Sequence, residues 1–186
     1  EATKMGRIYS IVEFYSDQVS LDKVNVKKKW GDPEYRQYSS DEMFYSDVKV
    51  CNISLDLDRK GSTGEVKTEK TYQDPRYFTS VYFPELEFIK EKTVHFLIPF
   101  WMNVELLERN FRDNISKEVI TDEKNKQYIY TYKIINEAAI KPEKGMRGRS
   151  YIYPHIQVLV KSSEINGKKI KYFETLDDQY AWYHDI

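Results

Sequence analysis

One cysteine in 186 residues cannot close an internal disulfide, so the fold cannot rest on a disulfide framework, and Cys51 alone leaves the redox compartment open. Long apolar runs are missing as well. No stretch approaches the roughly 18 apolar residues a membrane-crossing helix needs, which excludes a helical span. Neither sign of charge dominates: 29 Lys and Arg face 30 Asp and Glu, a net charge of −1, so there is no overall basic field of the kind that nucleic acid or an anionic membrane would require. The densest cationic run, Lys27-Lys28-Lys29, reads as a solvated strand end. The three histidines, His95, His155 and His184, are too dispersed for a sequence-local metal site. Gly-rich phosphate loops, dinucleotide fingerprints and nucleophile elbows are absent, and the turn at Asp56–Gly61 fails as a calcium loop because Lys60 and Lys67 stand where oxygen ligands belong. No cofactor is implied.

What the chain does have is aromatic and β-branched residues. Sixteen Tyr and nine Phe, within 40% hydrophobic residues, exclude a wholly disordered chain and tilt the class toward β. Partly alternating patterns predict strands over Arg7–Tyr15 and Asp22–Trp30, ahead of the turn Gly31-Asp32-Pro33. Ser39–Glu42 would cap a short helix holding Met43-Phe44-Tyr45, or the segment is a loop. Val48–Leu57 is a strand in which Val48 and Val50 share one face and Cys51, Ile53, Leu55 and Leu57 the other, a phase slip that predicts a β-bulge. After the turn at Asp58–Gly64, Glu65–Tyr72 is expected to return antiparallel to it. Phe78–Phe83 and the set Val94, Phe96, Ile98 follow as strands.

The most informative stretch is Tyr128–Ser162. Tyr128, Tyr130, Tyr132 and Ile134 fall on one side of a period-two pattern, as do Ile156, Val158 and Val160. Between them, Pro142, Gly145, Gly148 and Pro154 predict an ordered, non-repetitive connection from Lys141 to Pro154. Asn166-Gly167 predicts a hairpin through a type I′ turn, and Thr175-Leu176-Asp177-Asp178 the start of a helix. Short turns with no intervening helices imply a mainly β chain: an antiparallel two-sheet β-sandwich over residues 1–175, with a short C-terminal helix at 176–186 serving as a link to a downstream domain.

Asn136-Glu137-Ala138-Ala139-Ile140-Lys141-Pro142-Glu143 after a tyrosine-rich strand, followed by Pro154-His155-Ile156 entering an apolar strand, resembles the N-terminal β domain of unknown function that precedes the core of bacterial transglutaminase-like proteins. Phe96-Leu97-Ile98-Pro99, Val104-Glu105 and Asn110-Phe111 fit upstream, and Asp177–Tyr183 resembles the helix leading into that core. The resemblance implies a non-catalytic accessory domain in a larger secreted or periplasmic protein whose signal peptide has been removed, with the transglutaminase-like domain of the same polypeptide as its partner. It also implies a strand for Trp101–Phe111, where Trp101, Val104, Leu107 and Phe111 match a helical template instead.

Chemistry of that core needs a thiolate, a histidine and an acid. Cys51, among Ile53, Leu55 and Leu57, reads as a core residue, so no catalytic residue is carried over and the chain is not expected to be an enzyme. The alternative is a free-standing module binding protein or glycan through exposed aromatics, for which Tyr151, Tyr153, Tyr180, Trp182 and Tyr183 are the candidates.

Overall fold

In the computed structural model of the chain, residues 7–39, 47–141 and 143–185 are described. The short helix considered at Met43–Tyr45 and the Pro142 motif position lie outside them. The chain is mainly β, with antiparallel sheets throughout and a short C-terminal helix. A single body over residues 1–175 is the expectation from sequence; the chain packs as two compact units meeting at Tyr77/Phe78, each of which follows on its own.

The first unit holds β1 (Arg7–Tyr15), β2 (Val19–Lys27), β3 (Glu34–Gln37), β4 (Lys49–Leu57), β5 (Glu65–Tyr72) and a 3₁₀ turn at Pro75–Tyr77. β4 is central to a three-stranded sheet, paired with β1 and β3. Its register with β1 runs unbroken from Arg7↔Leu57 to Tyr15↔Lys49, so the expected bulge is not there. The phase slip has another cause: Val50 faces the side opposite Cys51 and is itself buried, paired in register with Phe14. The second face of β4 is covered at Val50, while Asn52, Ser54 and Asp56 along it stay half-buried, and that one covered position is what interrupts the alternation. The bulge in this unit lies instead in β2, between Leu21 and Lys23. The expected β4–β5 hairpin is also corrected, because β5 pairs with β2. Cys51, Ile53, Leu55 and Leu57 fill the inner face, and the Glu13–Lys70 ion pair at 2.5 Å ties β1 to β5. Gly64, just ahead of β5, lets the chain lie close to β4 and β2: a Cβ there would stand 3.1 Å from the Leu55 side chain and 3.3 Å from the Lys27 carbonyl oxygen.

The second unit is a two-sheet sandwich. One sheet has the order β7 (Ile89–Pro99), β10 (Gln127–Glu137), β9 (Ile115–Asp122). In the other, β11 (His155–Ile165) pairs with β8 (Met102–Arg109), β6 (Ser80–Tyr82) and β12 (Lys168–Lys171). A four-residue helix α1 (Arg149–Ile152) punctuates the long connection, and α2 (Leu176–Asp185) closes the chain. Phe96, Ile98, Tyr132 and Ile134 from the first sheet meet Ile156, Val158 and Val160 from the second around Phe83. Trp101–Phe111 resolves as strand over Met102–Arg109, because pairing with β11 turns Val104 and Leu106 toward that core. The helical spacing of its apolar residues is overridden by strand pairing. Asn166 and Gly167 have φ of 53° and 73°, the pair of positive angles a type I′ hairpin demands. Gly145 is left-handed as expected, whereas Gly148 is not.

Candidate functional site

The aromatic candidates fall in two sets on separate elements. Tyr180, Trp182 and Tyr183 belong to α2, which begins with a reciprocal cap: the Asp178 amide donates to Thr175 Oγ1 at 3.2 Å, and the Thr175 amide donates to Asp178 Oδ2 at 2.7 Å. The Thr175 hydroxyl also donates to Asp178 Oδ2 at 2.8 Å, and this bond first, then the one from the Thr175 amide, holds the Asp178 carboxyl below its ordinary range. Trp182 turns inward to meet Phe173 edge-on at 5.4 Å, anchoring the helix to the segment after β12. Leu176, Tyr180 and Tyr183, spaced i, i+4, i+7, present an apolar stripe to solvent, with exposures of 70%, 71% and 58%. Trp182 is therefore the anchor of the set, and the other two tyrosine rings are its outward part.

Tyr151 and Tyr153 flank the end of α1. Tyr151 is 77% exposed, while Tyr153 is half-buried and directs its hydroxyl at Met146 Sδ, 3.5 Å away. Among the described residues no ring contact joins either to the α2 set. The rest of this neighbourhood was not visible in the sequence. Asn110, left-handed at the end of β8, donates through Nδ2 to the carbonyls of Ser150 and Tyr153 at 2.8 and 3.2 Å, fastening α1 to the strand. In register across the sheet lie Arg109, His155 and Tyr82. His155 is buried and stacks on Tyr82 at 4.7 Å, and the Arg149 guanidinium lies 4.7 Å from the same Tyr82 ring. His155 Nδ1 is 2.9 Å from the Tyr153 carbonyl, which can only accept, so Nδ1 carries the proton. Sequence reasoning set His155 aside as a metal ligand and did not single out Tyr82, Arg109 or Arg149. No spacing signals them, since three strands and a loop bring them together.

Cys51 has no exposed surface. Burial pushes its thiol up and the Glu13 carboxylate adds to that, with a hydrogen bond to the Tyr35 hydroxyl acting the other way. A thiolate nucleophile needs the reverse environment. Among the described residues no group of three or more His, Cys, Asp or Glu side chains could hold a metal ion, and no helix is long and apolar enough to cross a membrane. Comparisons with family models, with curated proteins and with solved structures find no match to this chain.

Proposed function

We propose that the chain is a non-catalytic β module of a larger secreted or envelope-associated bacterial protein with a transglutaminase-like core, and that it meets that core through α2. One observation carries the reading: a capped helix, anchored inward by Trp182, leaves Leu176, Tyr180 and Tyr183 aligned on its outer side. Such an i, i+4, i+7 stripe is the pattern by which helices seat in apolar grooves of a partner. The burial of Cys51 and its raised thiol favour an accessory role over a catalytic one. In this reading unit 2 is the rigid platform and α2 the contact that sets the core's position.

The test is made on the full polypeptide of the encoding gene. Tyr180→Ala with Tyr183→Ala should leave each part folded while protease cleavage between module and core accelerates at least ten-fold. A gene that encodes no such core, or thiol-dependent amide hydrolysis or transfer by the purified chain alone, defeats the proposal.

A further inference from the structure

Seven of the sixteen Lys and Arg side chains in the sandwich unit pair with carboxylates: Lys92 with Glu85, Arg112 with Glu137, Lys117 with Glu108, Lys133 with Glu91, Lys161 with Glu105, and Lys169 and Lys171 with Glu174. Of the other nine, Lys90, Lys124, Lys126 and Lys168 stand on other strands and turns, and five gather on the connection around α1 and the strand end fastened to it. Arg109, Lys141, Lys144, Arg147 and Arg149 are exposed, and none has a carboxylate partner among the described residues. Two of these are held in place by something other than charge. Arg149 lies over the Tyr82 ring, on which His155 also stacks, and Arg109 leans on Gln157 Oε1 at 3.4 Å. Stacking on an aromatic face orients a guanidinium and leaves its in-plane N–H donors available.

From this we infer that the group Arg149, Tyr82, His155 and Arg109, with exposed Tyr151 two residues along α1 from Arg149, is a binding site for an acidic polysaccharide whose sugar rings carry carboxylates. Each guanidinium offers the planar fork that grips a carboxylate through two parallel bonds. Arg109 on β8 and Arg149 over Tyr82 of β6 are anchored on opposite sides of β11, an arrangement that suits a polymer with charges at intervals. Tyr151, with 77% of its surface exposed, supplies a flat apolar face of the kind on which a sugar ring packs, and it favours a glycan over an acidic peptide. Lys141, Lys144 and Arg147 extend the positive surface along the same loop. The chain's net charge of −1 provides no general attraction for polyanions, so binding must be local. The inference stands apart from the role given to α2.

The experiment titrates the intact chain with polygalacturonate, with dextran as the neutral polymer and poly-glutamate as the acidic peptide. Polygalacturonate should bind, dextran should not, and poly-glutamate should bind at least ten-fold more weakly. Arg109→Ala and Arg149→Ala should each weaken polygalacturonate binding ten-fold or more, Tyr151→Ala about five-fold, and Arg149→Lys should restore only part of the loss. Lys90→Ala and Lys124→Ala, which remove exposed cations on other loops and strands of the unit, should change nothing. These substituted side chains are exposed, and an unchanged thermal transition verifies folding. Absence of binding by the unaltered chain, equal or tighter binding of poly-glutamate, or equal losses from Lys90→Ala and Lys124→Ala overturns the inference.

Discussion

Replacing Tyr132 separates what its ring contributes from what its hydroxyl contributes. The side chain is fully buried, edge-on to Phe96 at 6.0 Å, Phe111 at 5.8 Å and Phe83 at 6.4 Å, while its hydroxyl donates to Glu108 Oε1 at 3.0 Å. Tyr132→Phe keeps the packing and removes one bond to a charged acceptor, ordinarily about 1.5–3 kcal/mol. Glu108 retains Lys117 at 2.6 Å and its side chain is 33% exposed, so water replaces the lost donor and the expected cost falls to about 1 kcal/mol. Tyr132→Ala empties the centre of the aromatic cluster and should cost about 3–5 kcal/mol. Urea denaturation followed by aromatic fluorescence gives both numbers. Alkali supplies a second readout. Burial first, then the Glu108 carboxylate, pushes the Tyr132 hydroxyl up to about 12 from an ordinary 10. The folded state thus holds this proton after the unfolded state has lost it. The associated stability is fully present below pH 10 and is lost as pH rises through 12, on the order of 2–3 kcal/mol. The advantage of the unaltered chain over Tyr132→Phe should therefore shrink above pH 10 and reverse by about pH 12, where the Phe variant becomes the more stable. A Phe variant as damaged as the Ala variant, or an advantage indifferent to pH across that window, refutes the reasoning.

Four further outcomes are expected. Cys51→Ser should destabilise by only about 1 kcal/mol, since the Tyr35 hydroxyl that bonds the buried thiol remains to partner the serine, and the native thiol should label with a disulfide reagent only as fast as the protein opens. Glu137 is buried and accepts from Asn114 Nδ2 at 2.9 Å with Arg112 at 3.5 Å, so Glu137→Ala should cost about 1–3 kcal/mol and speed amide exchange over residues 110–114. Thr175→Ala should remove about 1 kcal/mol from α2 and fray its first turn, seen as faster exchange at residues 176–179 with the β-sheet amides unchanged. Deleting residues 176–186 should leave both sheets of the sandwich folded with a small loss of melting temperature, and collapse of the domain would make α2 part of its core.

Sequence pattern recovered those elements whose local chemistry dictates the answer. Of the alternating set Tyr128, Tyr130, Tyr132 and Ile134, the last two are fully buried in the core and Tyr130 packs against it, whereas Tyr128 near the start of β10 is 41% exposed. Asn166-Gly167 and Thr175–Asp178 fixed a turn and a cap through the backbone angles and side-chain acceptors those residues favour. β9 escaped because Ser116 to Thr121 are all exposed at the sheet edge, which erases alternation, and β3 because its four residues are exposed as well. That β5 returns to β2 and not to β4 is a tertiary choice with no local signature. The division at Tyr77/Phe78 carries no linker composition, only the 3₁₀ turn Pro75–Tyr77 with Arg76 gripping Asp74. At the candidate site the aromatic density was visible. The unmatched arginines were not, because a missing carboxylate is a property of the assembled surface.

β11 is the strand on which the second sheet of the sandwich depends, since β6, β8 and β12 pair with it. In a chain made from its N-terminus, that hub arrives late. The sheet of β7, β10 and β9 can close once Glu137 is out, whereas β6 and β8 must wait for His155–Ile165. At ordinary ribosome speeds of about 5–20 residues per second, β8 is without its partner for on the order of 3–11 seconds. During that interval Val104 and Leu106 expose apolar side chains beside unpaired backbone, the combination that draws strands of neighbouring chains together. How soon β11 follows β8 thus bears on yield in the cell, and an insertion in the connection around α1 would lower it without altering any strand pairing of the finished molecule.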